Sequence, residues 1–179
     1  MADSGEGVDL RRLVRDIPDF PRDGIVFRDI TPLLLDARGL DAAVARLTQF
    51  ARGLDVDLVV AAEARGFILG GALARELGAG FVPARKRGKL PHETVSSEYT
   101  LEYGIDALEV HADALAGGVR VLIHDDLLAT GGTAAALASL VTRMGAEIVA
   151  CAFVVELAAL RGREQLKPHP VHSLIVFDD

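Results

Sequence analysis

Apolar residues fall into short strand-length runs that alternate with segments of helical period. Residues 56–61, VDLVVA, are rich in β-branched side chains and predict a buried strand. The helical pattern of 67–77 follows, then a short strand at 80–84 and another at 119–123. The 119–123 run is almost wholly apolar, as expected where both faces of a parallel sheet are covered. In the helix predicted at 132–144, Leu137, Leu140, Val141 and Met144 share one face, and Gly145 suits its end. Strands at 147–155 and 173–177 complete the set. This alternation implies an α/β fold with a parallel sheet and flanking helices. Two regions break the pattern. Residues 16–32 are a proline-punctuated lead-in after a first helix. Residues 85–106 form a long polar segment, and connections of that length are usually lids or excursions with structure of their own. Alternating side chains at 94–102 suit one arm of a hairpin.

Composition narrows the class. Hydrophobic residues make up 50% of 179, enough for one domain, 1–179, with a sizeable core. A net charge of −7 argues against general attraction to nucleic acid or acidic lipid. The basic island Arg85-Lys86-Arg87-Gly88-Lys89 is more informative for standing in an acidic chain. Cys151 is the only cysteine, which excludes an internal disulfide and a cysteine-rich zinc site. With no basic-then-apolar start and no uncharged span of membrane length, a cytoplasmic protein without membrane association is expected.

The chemistry concentrates in VLIHDDLLATGGT, residues 121–133. Ligands of parallel α/β sheets bind beyond the carboxyl ends of strands. Here two aspartates, Asp125 and Asp126, end the 119–123 strand, and Ala129-Thr130-Gly131-Gly132-Thr133 leads into a helix. Glycines allow close backbone approach, and free N–H groups at a helix start favour an anion. The loop therefore reads as a phosphate cradle, though neither GxxxxGK[ST] nor GxGxxG is present. The aspartates suit hydroxyl groups instead: two carboxylates can hold a vicinal diol or a Mg²⁺-bound sugar. Cradle and diol clamp together describe a ribose 5-phosphate. Either half alone is equally at home as a strand end or a helix cap.

This stretch resembles the phosphoribosyl pyrophosphate motif of the type I phosphoribosyltransferases. With IPDFP at 17–21, GIVFRDITP at 24–32, EARGF at 63–67, RKRGKLP at 85–91, YTLEYG at 99–104 and VEL at 155–157, the resemblance extends over nearly the whole chain to the adenine phosphoribosyltransferases. It implies a type I phosphoribosyltransferase fold with a mobile hood loop at about 85–106 and a base-recognition segment at about 17–32. It implies salvage of adenine, which with phosphoribosyl pyrophosphate gives AMP and pyrophosphate, and Mg²⁺ as cofactor. Mg²⁺ would be held mainly through the substrate, with Asp125 and Asp126 as candidate ligands. A homodimer is expected, with no nucleic-acid partner. His124 departs from the family pattern, where an apolar or small residue is commoner, and reads as a packed or hydrogen-bonded structural histidine.

Site roles follow from the resemblance and the chemistry together. Arg65 can offer a bidentate fork to the leaving pyrophosphate, and the backbone of Glu63, Ala64, Arg65 and Gly66 can offer N–H donors. The resemblance places a non-proline cis peptide at Glu63-Ala64. Arg85 and Lys89 are the better candidates for pyrophosphate contacts, within one chain or across a dimer interface; whether Lys86 or Arg87 points inward stays open. Phe27 can stack on adenine, while the main chain of Val26 and Arg28 reads its N1 and N6. Leu157 either lines the opposite side or belongs to the core. Glu102 can take the purine proton and return it in the reverse reaction, and Tyr103 can shield the reacting centre. A transferase for hypoxanthine, guanine or xanthine is the alternative enzyme, disfavoured by the Val26-Phe27-Arg28 segment. A regulator that only senses phosphoribosyl pyrophosphate would need a DNA-binding element, and no basic helix-turn-helix segment precedes the domain.

Overall fold

The computed structural model describes residues 7–101, 104–115 and 117–178. β1 (Arg15–Pro18) and β2 (Val26–Asp29) pair antiparallel as a separate ribbon. A seven-stranded sheet is built from β3 (Leu58–Ala62), β4 (Gly80–Lys86), β5 (Thr94–Leu101), β6 (Gly104–His111), β7 (Arg120–Leu128), β8 (Glu147–Leu157) and β9 (Val171–Phe177). Its order is β5-β6-β4-β3-β7-β8-β9. The five strands from β4 to β9 run parallel, and the β5–β6 hairpin adds antiparallel to the β4 edge.

Helices cover both faces, which explains the apolar strands. α1 (Thr31–Leu35), α2 (Ala37–Ala51) and α3 (Gly66–Leu77) lie on one face; α4 (Gly132–Arg143) lies on the other. Along β7 the period-2 alternation sends Val121 and Ile123 into the core under α4 and Leu122 into the core under the other three helices. At roughly 25 cal/mol per Å² of apolar surface, these two buried layers are the main stabilising term of the fold. Among the described residues no helix is long and apolar enough to cross a membrane.

Several elements differ from the sequence reading. The first helix is only a 3₁₀ turn, Leu10–Leu13, capped by Asp9, whose carboxylate accepts from Arg11 N at 3.1 Å. The lead-in that follows is the β1–β2 ribbon. The unpredicted α2 starts where Asp36 caps Gly39 N at 2.7 Å. Its apolar residues Leu40, Ala43, Val44, Leu47, Phe50 and Ala51 recur at helical spacing and face the core, a period the sequence reading passed over. The 119–123 strand runs on to Leu128, so the two aspartates lie within β7 rather than after it.

The segment 85–106 is largely sheet rather than loop. β4 extends through Lys86, among the described residues of the segment only 87–93 is irregular, and residues from Thr94 pair along β6, the hairpin arm the alternation suggested. Val95 packs against the core, Leu108 and Val110 are buried in it, and Arg143 Nη1 on α4 donates to the Ser96 carbonyl at 2.9 Å. The polar look arises because only one face of the hairpin needs apolar residues.

The topology selects the site. β3 and β7 are neighbours, yet the chain leaves β3 toward β4 on one side and β7 toward β8 on the other. Their carboxyl ends therefore border the crevice where connections diverge, the usual ligand position in such sheets.

Candidate active site

That crevice opens into a cavity of about 290 Å³. Glu63, Ala64 and Arg65 line it from the end of β3, Asp125 and Asp126 from β7, and Ala129, Thr130, Gly131, Gly132 and Thr133 from the turn into α4; Lys86 joins them from β4. Two distant stretches read separately from the sequence thus share one wall. The Glu63-Ala64 peptide is cis, at the position the resemblance indicated.

The loop is shaped for an anion. Gly131 sits at φ +88°, a left-handed conformation that favours glycine, and turns the chain directly into α4. The Gly131 carbonyl accepts from Ala135 N at 2.8 Å. The first N–H groups of a helix have no carbonyl partner within it, and here the residues that start α4, Gly132, Thr133 and Ala134, line the cavity together with Thr130.

The two aspartates are in unlike environments. Asp126 pairs with Arg65 through the guanidinium Nε. Burial works against the Arg65 charge, but Asp126 outweighs it and keeps the guanidinium firmly protonated. Asp125 accepts from Asp126 N at 2.9 Å. Its burial, and then the charge of Asp126 beside it, push its pKa well above the ordinary carboxyl value. Gly66 starts α3 against this carboxylate: a Cβ there would lie 2.8 Å from Asp125 Oδ1. Gly66 is therefore placed by close approach, outside the cavity wall.

The basic island divides by strand parity. Lys86 shares the β4 face of Val82 and Ala84, which leads to the cavity. Arg85 projects the other way, donating from Nε to Glu63 Oε2 at 2.7 Å and from Nη1 to the Lys89 carbonyl at 3.2 Å. Arg87 reaches Glu98 at 3.2 Å on the hairpin. Arg85 thus braces the Glu63 loop from behind, and neither it nor Lys89 lines the cavity in this state. Alternation extended over all of β4 would have separated Lys86 from Arg87.

The segment expected to recognise the base abuts the Arg65 side. The Arg65 guanidinium lies 5.5 Å from the centroid of Phe27. Phe27 makes an edge contact with Phe20 at 5.3 Å, and Val26 is 44% exposed. The Arg28 side chain is buried, pairs with Asp16 at 2.6 Å and lies over Phe177 at 4.2 Å. It anchors the ribbon to β9, which leaves only its main chain for recognition. Leu157 ends β8 beside Phe177 and packs into the core under α1 to α3. Glu102 and Tyr103 lie outside the described residues. His124 is buried with Nδ1 2.9 Å from the Ala152 carbonyl, a structural placement off the cavity.

A model of the phosphoribosyl transferase domain matches residues 34–177. The adenine phosphoribosyltransferase of Thermotoga petrophila is 56% identical over 170 residues, 95% of this chain and 100% of that one. The chain belongs to the adenine phosphoribosyltransferase family. The crystal structure of the family member from Thermoanaerobacter pseudethanolicus is similar with a TM-score of 0.91 at 50% identity, over 94% of this chain and 98% of that one. The Saccharomyces cerevisiae enzyme, complexed with an imino-altritol bisphosphate and adenine, has a TM-score of 0.88 at 37% identity, over 97% and 99% of the two chains. The whole fold of the family is therefore present, including the β1–β2 ribbon that lies before the matched domain.

Proposed function

We infer that this chain is an adenine phosphoribosyltransferase, which joins adenine to the phosphoribosyl group of phosphoribosyl pyrophosphate and releases pyrophosphate. One observation carries the reading: the cis Glu63-Ala64 loop, the Asp125-Asp126 pair and the α4 start converge on a single cavity. A phosphate at Ala129 to Thr133 puts the ribose hydroxyls beside the aspartates and the diphosphate beside Arg65 and the Glu63 to Arg65 backbone. Lys86 joins Arg65 as a cation for the diphosphate. Arg85 acts through Glu63 by bracing the loop, and Lys89 joins it where the turn closes on substrate.

In the reaction adenine N9 forms a bond to C1′, the C1′–O bond to pyrophosphate breaks, and the purine gives up one proton. Arg65 stabilises the charge that develops on the leaving group. Glu102 receives the proton, and Tyr103 helps exclude water from C1′. Phe27 stacks on the base while the main chain of Val26 and Arg28 reads its edge; Leu157 backs the opposite side through the core. Among the described residues no three His, Cys, Asp or Glu side chains converge on a metal position. Asp125 and Asp126 offer the carboxylate oxygens that Mg²⁺ takes and would hold the ion together with the substrate. When bound, the ion supplies further positive charge to the leaving group. A cytoplasmic homodimer completes the reading; exposed Phe20, Leu35 and Ile68 supply apolar surface for a partner copy.

A substrate panel tests the inference. The purified chain with Mg²⁺ and phosphoribosyl pyrophosphate should form AMP from adenine and turn over hypoxanthine and guanine poorly. A site that pairs N1 and N6 leaves groups unsatisfied against a 6-oxo base, a discrimination of roughly 10⁴ where hydrogen bonds are lost. Comparable turnover of hypoxanthine would overturn it.

A further inference from the structure

Two glycines press the phosphate loop against a distant turn. A Cβ on Gly131 would lie 2.5 Å from the Gly162 carbonyl oxygen and 3.1 Å from Gln165 Cβ. Reciprocally, a Cβ on Gly162 would overlap the Ala129 carbonyl and lie 3.1 Å from Gly131 N. The loop at 129–131 therefore rests main chain on main chain against the 3₁₀ turn Gly162–Leu166. Gly162 has no left-handed φ to satisfy, so space alone requires the missing side chain.

The turn is itself held from one side. Arg163 donates Nε to Glu156 Oε1 at 2.6 Å and Nη2 to Glu156 Oε2 at 2.7 Å, and its Nη1 reaches the Val171 carbonyl at 2.8 Å. Ser173 Oγ donates to the same carboxylate at 2.6 Å. Glu156 is only 4% exposed. It belongs to β8, where it pairs in register with Leu128, the residue before the phosphate loop. Burial alone would raise the Glu156 pKa; Arg163 and Ser173 bring the net shift below the ordinary value, so the carboxylate stays charged. Buried ion pairs contribute little stability beyond an apolar replacement, whereas a bidentate pair fixes geometry. This one ties the Gly162 turn to β8 and β9 directly behind the loop.

We propose that the Glu156–Arg163–Ser173 clamp is a positioning device for 5′-phosphate recognition, setting the Gly162 turn as the rigid back wall of loop 129–133. The proposal rests on the phosphoribosyl reading of that loop. Among the described residues the clamp's hydrogen bonds reach neither the Glu63 loop nor the β1–β2 ribbon, so its loss falls first on the phosphate subsite.

The test uses the full chain and three variants. Gly162→Ala pushes a methyl at the Ala129 carbonyl with the clamp intact, Arg163→Ala removes the clamp, and Arg163→Lys keeps charge without the fork. Calorimetry measures ribose 5-phosphate binding, and kinetics measure KM for phosphoribosyl pyrophosphate, adenine and, in reverse, pyrophosphate. In Gly162→Ala and Arg163→Ala, the ribose 5-phosphate Kd and the phosphoribosyl pyrophosphate KM should rise roughly tenfold to a hundredfold, as for displaced binding groups. KM for adenine and pyrophosphate should hold, and Arg163→Lys should recover part of the loss. Unchanged ribose 5-phosphate affinity in a folded Gly162→Ala protein, or an equal loss for pyrophosphate, refutes the clamp. So does a wild-type chain that fails to bind ribose 5-phosphate. A wild-type chain that binds it but makes no AMP overturns the functional reading and leaves the clamp standing. If Arg163→Ala does not fold, Gly162→Ala decides.

Discussion

His124 supplies a prediction whose size the structure sets. It lies on β7 between β3 and β8, fully buried, directly before the aspartate pair. Its Nδ1 meets the Ala152 carbonyl at 2.9 Å, a contact that requires the proton on Nδ1. The other ring nitrogen has no protein partner among the described residues. Burial lowers the imidazole pKa from 6.5 to about 4, although the Ala152 bond and the charge of Asp126 act the other way. Above pH 6.5 the ring is neutral whether the chain is folded or unfolded, and stability is independent of it. Between 6.5 and about 4 only the unfolded chain takes the proton, so stability falls as pH falls. At about 1.4 kcal/mol per pH unit, about 3 kcal/mol is lost by pH 4.

The perturbation is His124→Val. Urea unfolding of both proteins from pH 7.5 to 4 gives the free-energy difference between them at each pH. Other groups titrate in both and cancel. The difference should move by about 3 kcal/mol in favour of the variant on acidification, whatever its value at neutral pH. A difference that stays constant across the range refutes a buried neutral histidine. Turnover of the variant should stay near wild type, since the ring lies off the cavity wall.

Other changes test the site. Asp126→Asn removes the charge facing Arg65 and should lower kcat/KM about tenfold to a hundredfold in a folded protein, the worth of a hydrogen bond to a charged group. Thr133→Val, lacking one phosphate donor, should raise KM for phosphoribosyl pyrophosphate about tenfold; if both variants match wild-type kinetics, the loop and aspartates are only structural. Glu102→Gln keeps shape but cannot take a proton, so kcat should fall roughly 10²–10⁴-fold with a smaller effect on adenine binding; near-normal turnover removes it from the chemistry. Gly66→Ala sets a methyl 2.8 Å from Asp125 Oδ1 and should lower both the melting temperature and ribose-side affinity; an unchanged melting curve would mean the crevice yields there.

Legibility in the sequence followed how local the cause was. The parallel strands showed because both faces need apolar residues, and the 121–133 stretch showed because glycine, hydroxyl and carboxylate residues crowd into few positions. α2 was legible in the helical spacing of Leu40, Val44 and Leu47 but went unread, and the ribbon was hidden by prolines, which suit edge strands as well as loops. Arg65 and Asp126 are 61 positions apart and meet only because β3 and β7 are sheet neighbours. The Glu156 clamp was invisible for a related reason: Glu156 stands in the VEL segment read for the base side, and the Gly162 turn looks like an ordinary charged surface loop. Lys86 was separable by parity alone, but only once β4 was known to extend past Ala84.

The aspartate pair shows why an acidic crevice can wait for an acidic substrate. Two adjacent carboxylates, both buried, would repel each other strongly if both were charged and unpaired. The fold resolves this by unequal treatment. Asp126 is given the Arg65 guanidinium, while Asp125 is buried against Gly66 and holds its proton more readily. Arg65 is therefore occupied before substrate arrives, and by the group proposed to read the ribose. A diphosphate drawn to Arg65 competes with Asp126 for the same fork. Ribose hydroxyls then give Asp126 the partner it loses. Charge and hydroxyl must arrive on one molecule for both exchanges to balance. Free phosphate would satisfy the cradle and Arg65 but strand Asp126. On this argument the pair, in its proposed role as a diol clamp, makes occupation of Arg65 most favourable when sugar hydroxyls stand beside Asp126.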